Sequence, residues 1–231
     1  MGVLLLGKCI DAKPPAVRRG FFLYDRDFGG LSDSMAIAFK EWALICEALG
    51  SGHQSVILRK GGIAEGRNGF GFEHREFYLF PTWFHGQVQK VKHEYLSLSE
   101  QVPDPIPLNY TAVIEWSGRV ADKEAVHRLS ELHVLDSSVI EERFDYDTGK
   151  ESGNPNGIHV ALVRVYRLEP PISLPMEKRF GGCRSWVELP EIDAGALVSV
   201  LSDEEHERRK GRFAELLGIS LEESAEEPAS V

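Results

Sequence analysis

The run Ile158–Leu168 (IHVALVRVYRL) constrains this chain more than any other segment. It is rich in β-branched residues and apolar at both odd and even positions. It therefore reads as a strand covered on both faces. Such a strand needs a sheet around it and packed layers on either side. Arg164 and Arg167 interrupt the run on opposite faces. A chain of 231 residues is long enough to build that core. At 42% hydrophobic and 10% aromatic, it is too apolar to be largely disordered. No run approaches the roughly 18 apolar residues that a membrane-spanning helix needs. Cys9, Cys46 and Cys183 are odd in number and widely spaced. That excludes a disulfide framework and a paired-cysteine zinc site, and it suits a reducing cytoplasm.

Around this strand the sequence alternates helical and extended signals. Ser32-Asp33-Ser34 offers caps for a helix from about Met35 to Leu49, stopped by Gly50. On such a helix Lys40 and Glu47 share one polar stripe. Glu41 falls among Ile37, Ile45 and Ala48, where a carboxylate must be paired or functional. Ser55–Lys60 reads as a buried strand closed by Gly61-Gly62. Phe70–Phe80 reads as a second strand, ended by Pro81 and forming a hairpin with the first. Val102–Leu108, with three prolines, reads as a linker. Then come a strand at Thr111–Val120, a helix capped by Asp122 and running to about His133, and a short helix opened by Ser138 with Glu141. Asp147–Gly157 reads as a mobile loop, and Phe180–Leu189 as a strand after a glycine turn. Ser202 and Glu205 form a capping box for a final helix to Leu217, stopped by Gly218. The expected fold is α+β, a mixed or antiparallel sheet with flanking helices. It forms one body over 35–219, with lobes of about 35–100 and 108–219. MGVLLLGKC lacks the positive start and the long apolar run of an export signal. Residues 1–34 read as an extension, either mobile or the product of a start placed too early.

The net charge of −10 is unevenly distributed. Ser220–Val231 holds four glutamates and no base, and reads as a disordered acidic tail. Within the acidic body, His53–Leu96 carries six bases against four acids and four of the eight histidines. An acidic protein does not coat a polyanion by charge alone. A local anion site is compatible with this pattern, and this stretch is where it is expected.

The segments AFKEWALICEAL, VILRKGGI, FEHREFYLFPTWFHGQ, HVALVRVYRLEPP, FGGCRSWVEL and LSDEE together resemble a bacterial family labelled domain of unknown function 1802. The resemblance runs from about Met35 to Leu217. It carries over Lys40, Glu41 and Trp42, then Arg59, Lys60, Gly61, Gly62 and Ile63. It also carries over Gly181, Gly182, Cys183, Arg184, Ser185 and Trp186, and His85 of the PTxxH stretch. The family has no established activity. The resemblance implies a link to restriction–modification or other DNA-related settings.

Three functions fit these residues. The first is binding of nucleic acid or a phosphorylated ligand through Arg59, Lys60, Gly61, Gly62, Arg75, His85, Arg184 and Trp186. Cations beside glycine backbone can approach a phosphate closely, and aromatic rings such as Trp83, Phe84 and Trp186 can stack on a base. Those aromatics fit a core role better. The second is a metal-dependent phosphodiesterase using Glu41 and Lys60, which would bring Mg²⁺ as its cofactor. The strand-end aspartate and Glu-x-Lys run of such sites are missing, so this reading ranks lower. The third is a non-catalytic protein-interaction module. Apart from the Mg²⁺ of the second reading, no cofactor or resident metal is expected. His74 and His85 near Glu73 and Glu76 lack zinc-ligand spacing. Cys183 reads as a small buried cysteine.

Overall fold

The structure, a computed structural model, describes residues 10–11, 36–60, 70–92, 102–145 and 157–221. The expected helix caps at Ser32–Ser34, the Gly61-Gly62 turn, most of the 147–157 loop and nearly all of the acidic tail lie outside these residues.

The strands are β1 (Ile10–Asp11), β2 (Ala36–Trp42), β3 (Val56–Arg59), β4 (Glu76–Thr82), β5 (Ile106–Val120), β6 (Ile158–Leu174), β7 (Trp186–Leu189) and β8 (Ala196–Ser199). They form one mixed sheet in the order β3-β6-β5-β4-β2-β7, with β1 added beside β5 and β8 beside β6. β2 and β4 are parallel; the other pairs are antiparallel. The helices are α1 (Ala43–Gly50), α2 (Lys123–Arg128), α3 (Ser137–Asp145) and α4 (Asp203–Leu217). The α+β expectation holds, with the sheet mixed. Strands from before and after residue 100 interleave in it.

The sheet is buried on both faces, and β4 shows it with a period of two. Phe77 and Leu79 enter the larger apolar cluster, whereas Tyr78 and Phe80 enter a second one. β6 does what its sequence demands. Val160–Val163 and Val165 are packed into the larger cluster, and Leu168 and Leu174 into the smaller. It pairs with β5 from Ile106↔Leu174 to Val120↔Ile158 across two register shifts. The length of that ribbon carries β5 through Ile106-Pro107-Leu108, so the expected linker is largely strand. β4 likewise continues through Pro81 to Thr82.

Two further expectations are corrected. Residues 36–42 are a strand, and the helix begins only at Ala43. Because Phe39 faces one cluster and Ala36 and Ala38 the other, the segment loses the polar alternation of a one-sided strand and imitates a buried helix. Glu41 thus projects from a strand, on the Phe39 side of β2. β3 and β4 are not a hairpin either. β3 pairs with β6, and β4 sits between β2 and β5. The short strand β8, which lines the outer end of β6, carries no pattern that marks it beforehand.

The helices close the larger cluster. Phe213 of α4 is fully buried against Trp116 of β5, with ring centroids 5.2 Å apart. The Ser202 hydroxyl accepts from Glu205 N–H, and Gly218 ends α4 at φ 66°, as the capping box and glycine stop predict. Asp122 caps α2. α3 is capped through Asp136, whose carboxylate accepts from Ser138 N–H, rather than through Ser138. Among the described residues, no helix is long and apolar enough to cross a membrane.

Candidate functional site

The curl of the sheet builds the site. β3 and β7 end the strand order, yet the Arg59 guanidinium of β3 donates to the Ser185 hydroxyl just before β7, at 2.9 Å. The same guanidinium lies 5.6 Å from the centre of the Phe39 ring on β2. The two edges are therefore within side-chain reach of each other.

Two more cations meet Arg59 here. The Lys40 backbone N–H donates to Ser185 O at 2.8 Å, prolonging the β2–β7 ladder. Its ammonium donates to the carbonyls of Gly181 and Gly182, both at 3.1 Å. Gly182 has φ 78°, a left-handed turn that glycine adopts freely. Burial lowers the Lys40 pKa; the Cys183 sulfur opposes that shift and the Arg59 charge adds to it. Arg143 of α3 donates to Leu58 O and lies over the Trp42 ring, 5.4 Å from its centre. Burial pushes its pKa down to about 10, Glu41 pulls the other way, and Arg59 pushes it further down. Lys40 and Arg143 thus each lie within electrostatic range of Arg59.

The partners of these cations are neutral oxygens. No described carboxylate forms an ion pair with any of the three. Elsewhere cations are neutralised at contact, as in Arg164–Asp203, Arg209–Glu205 at 2.7 Å and Arg212–Glu131 at 2.8 Å. Two carboxylates act on the Arg143 charge, Glu41 and Glu142. Glu142 is bound by Lys90. Glu41 is 2% exposed and accepts the Trp42 N–H at 2.8 Å. The corner retains net positive charge in a partly dry setting, where a charge acts further than it does in water.

The other expected residues distribute as follows. Arg184 is exposed and adjoins Ser185 at the same corner. Lys60 follows Arg59, and its charge is felt at His159, whose pKa burial, Arg119 and Lys60 drive down to about 4. Trp186 joins the corner from within. It packs on Phe39 at 4.8 Å and on Phe77 at 5.2 Å, and its indole N–H donates to Gly71 O at 3.2 Å. His74 packs edge-on against it. Trp83 packs against the second cluster. The exposed ring nearby is Phe84, edge-on to Trp42 at 5.0 Å. His85 follows Phe84 and opens a short 3-10 turn. Arg75 is exposed just before β4, with no described contact to the corner. Gly61 and Gly62 lie outside the described residues. Cys183 is exposed, correcting its expected burial, because the glycine turn holds it out from β7. Arg143 was not anticipated. It reads as an ordinary base between Ile140 and Phe144, and only the docking of α3 beside β3 brings it to Arg59. Among the described residues, no three of His, Cys, Asp and Glu group where they could hold a metal ion.

Comparison with known proteins adds kinship. No curated protein matches the chain. Among solved structures, a mutant ZmASCH protein from Zymomonas mobilis is similar at 13% identity. The similarity covers 69% of this chain and 91% of that one, with a TM-score of 0.41. Residues 38–212 match the family described as Domain of unknown function (DUF1802), and with three quarters of its length inside that match the chain belongs to this family.

Proposed function

We propose that the protein binds a phosphorylated ligand, nucleic acid foremost, at the corner formed by Lys40, Arg59 and Arg143. Lys60 and Arg184, next in sequence to Arg59 and Ser185, border it in this proposal. The supporting observation is the pairing of these cations with carbonyl and hydroxyl oxygens instead of carboxylates. An arginine held by a neutral partner keeps its charge and its remaining N–H donors for an anion, and a guanidinium matches two phosphate oxygens at once. Exposed Phe84, beside Trp42, offers a face for a base. A bacterial, cytoplasmic setting linked to restriction–modification is part of the proposal and rests on the family resemblance alone.

Fluorescence anisotropy with labelled single- and double-stranded DNA and RNA tests it. Arg59→Gln should weaken strand binding about tenfold, in line with the loss of one charge-assisted contact, while the chain stays folded with a melting temperature only a few degrees lower. Absence of binding to every strand, or full binding by the variant, would overturn the reading. The phosphodiesterase alternative needs a second carboxylate beside Lys60. Of the two described carboxylates that act on the corner, Glu142 is bound by Lys90 and Glu41 accepts the Trp42 N–H, and strands incubated with Mg²⁺ or Mn²⁺ should remain uncut.

A further inference from the structure

A cavity of about 180 Å³ lies beneath α2 and α3, beside the bridge that joins Val91 to Leu135. His133 lines it. That side chain is 3% exposed, and neither ring nitrogen has a hydrogen-bond partner. The Leu135 backbone lies near enough to favour the charged ring slightly, without hydrogen-bond geometry. An imidazole withdrawn from water and left unpaired is costly, so its two nitrogens call for a partner. Leu135 and Ile140 supply an apolar wall, and Ser130, Asp136 and Ser137 line the cavity as well.

The surrounding charges select the kind of partner. Lys92, Arg143 and His127 all oppose protonation of the ring, and burial adds to them, pushing its pKa to about 3. A neutral ring beside three bases is a poor place for a cation. An anion finds little more. The Lys92 ammonium donates to the carbonyls of Ser130 at 2.5 Å and His133 at 2.8 Å, and His127 is engaged by Glu141 at 2.8 Å. The Asp136 carboxylate that also lines the cavity is taken up by the Ser138 N–H at 2.9 Å and hydroxyl at 2.6 Å. What remains is one imidazole donor, one imidazole acceptor, hydroxyls and an apolar wall. The complement of that set is a flat, uncharged ring with donors and acceptors along its edge. A cavity of about 150 Å³ admits benzene. The volume here leaves room for a six-membered ring with exocyclic groups.

We infer that this cavity takes a nucleobase, either free or turned out of a bound strand. The strand form rests on the phosphate-binding reading above. Arg143 links the two places, since it belongs to the cationic corner and its charge also acts on His133. Turning a base out exposes its pairing edge, and a polar slot with an apolar wall satisfies edge and face together.

Two titrations of the full chain test this. In the first, uridine, cytidine, adenosine and guanosine are titrated by calorimetry. In the second, a short single strand is compared with the same strand made abasic. At least one nucleoside should bind saturably, or the intact strand should bind at least tenfold more tightly than the abasic one. His133→Phe keeps the ring but removes both nitrogens, and should abolish that binding or advantage. Ile140→Phe, which narrows the cavity with a larger lining side chain, should do the same. Equal affinity for intact and abasic strands, with no nucleoside bound, would show a cavity holding only water. It would overturn the inference while leaving the cationic corner intact. Nucleoside binding that both substitutions leave unchanged would overturn it equally. Nucleoside binding without strand binding would retain the cavity and remove the corner.

Discussion

At the scale of single residues, the electrostatics of Glu41 and of the buried histidines make checkable claims. Glu41 is the carboxylate that offsets the Arg143 charge from the β2 side. Glu41→Gln keeps an oxygen for the Trp42 N–H and removes the negative charge. Strand affinity should rise two- to fivefold, measured by anisotropy at low salt. A catalytic glutamate would give the opposite sign, loss of activity. His133 and His159 carry pKa values of about 3 and about 4 in the folded chain, against an ordinary 6.5. The unfolded chain therefore takes up these protons first as pH falls. Their stabilising contribution is complete above about pH 6.5 and is lost progressively from there down towards pH 3–4. The slope approaches about 1.4 kcal/mol per pH unit per histidine. The melting temperature should be level above neutrality and fall below it, and His133→Phe should flatten the acid limb.

At the scale of elements, α1 owes its position to a glycine. A Cβ placed on Gly50 would lie 2.0 Å from the Tyr110 ring of β5. Tyr110 donates its hydroxyl to Glu47 at 3.2 Å, and burial and Glu47 push its pKa up to about 12. Gly50→Ala should cost about 1–3 kcal/mol by overpacking, read as a lower midpoint in chemical denaturation. Tyr110→Leu in the same chain should recover much of it. Elements of this kind were unequally legible in the sequence. α4 was legible throughout, because its caps and charge order are local signals. β6 was legible because a two-faced β-branched run has few other homes. Ala36–Trp42 was not, since burial from both sides erases the period that separates strand from helix. The pairing of β3 with β6 was not legible either. Which strands become neighbours is decided by long-range packing, over a separation of about a hundred residues, which no window of sequence contains.

At the scale of the molecule, the charge of −10 and a cationic corner are compatible if binding is confined. A protein that coats a strand releases many counterions. One that grips with Lys40, Arg59 and Arg143 releases few. The logarithm of affinity against the logarithm of salt concentration should therefore have a slope of about −2 to −3, and Arg59→Gln should reduce its size by about one. A slope near −6 would mean that another surface is responsible. Here the sequence was half informative. The motif residues Lys40, Arg59 and Ser185 were all singled out, and the stretch richest in bases added Arg75, for which no contact to the corner is described. Arg143 carried no signal, because its role exists only once α3 has docked.

The bond from Arg59 to Ser185 spans the two ends of the sheet, and it has a consequence for how tightly the corner can hold anything. A free arginine side chain samples many rotamers, and freezing it costs on the order of 2 kcal/mol. Here one nitrogen is anchored and the guanidinium plane lies over Phe39, so that disorder is lost when the chain folds. An arriving ligand meets a group already held in place. Under the proposed function, Ser185 would contribute to affinity through preorganisation of Arg59.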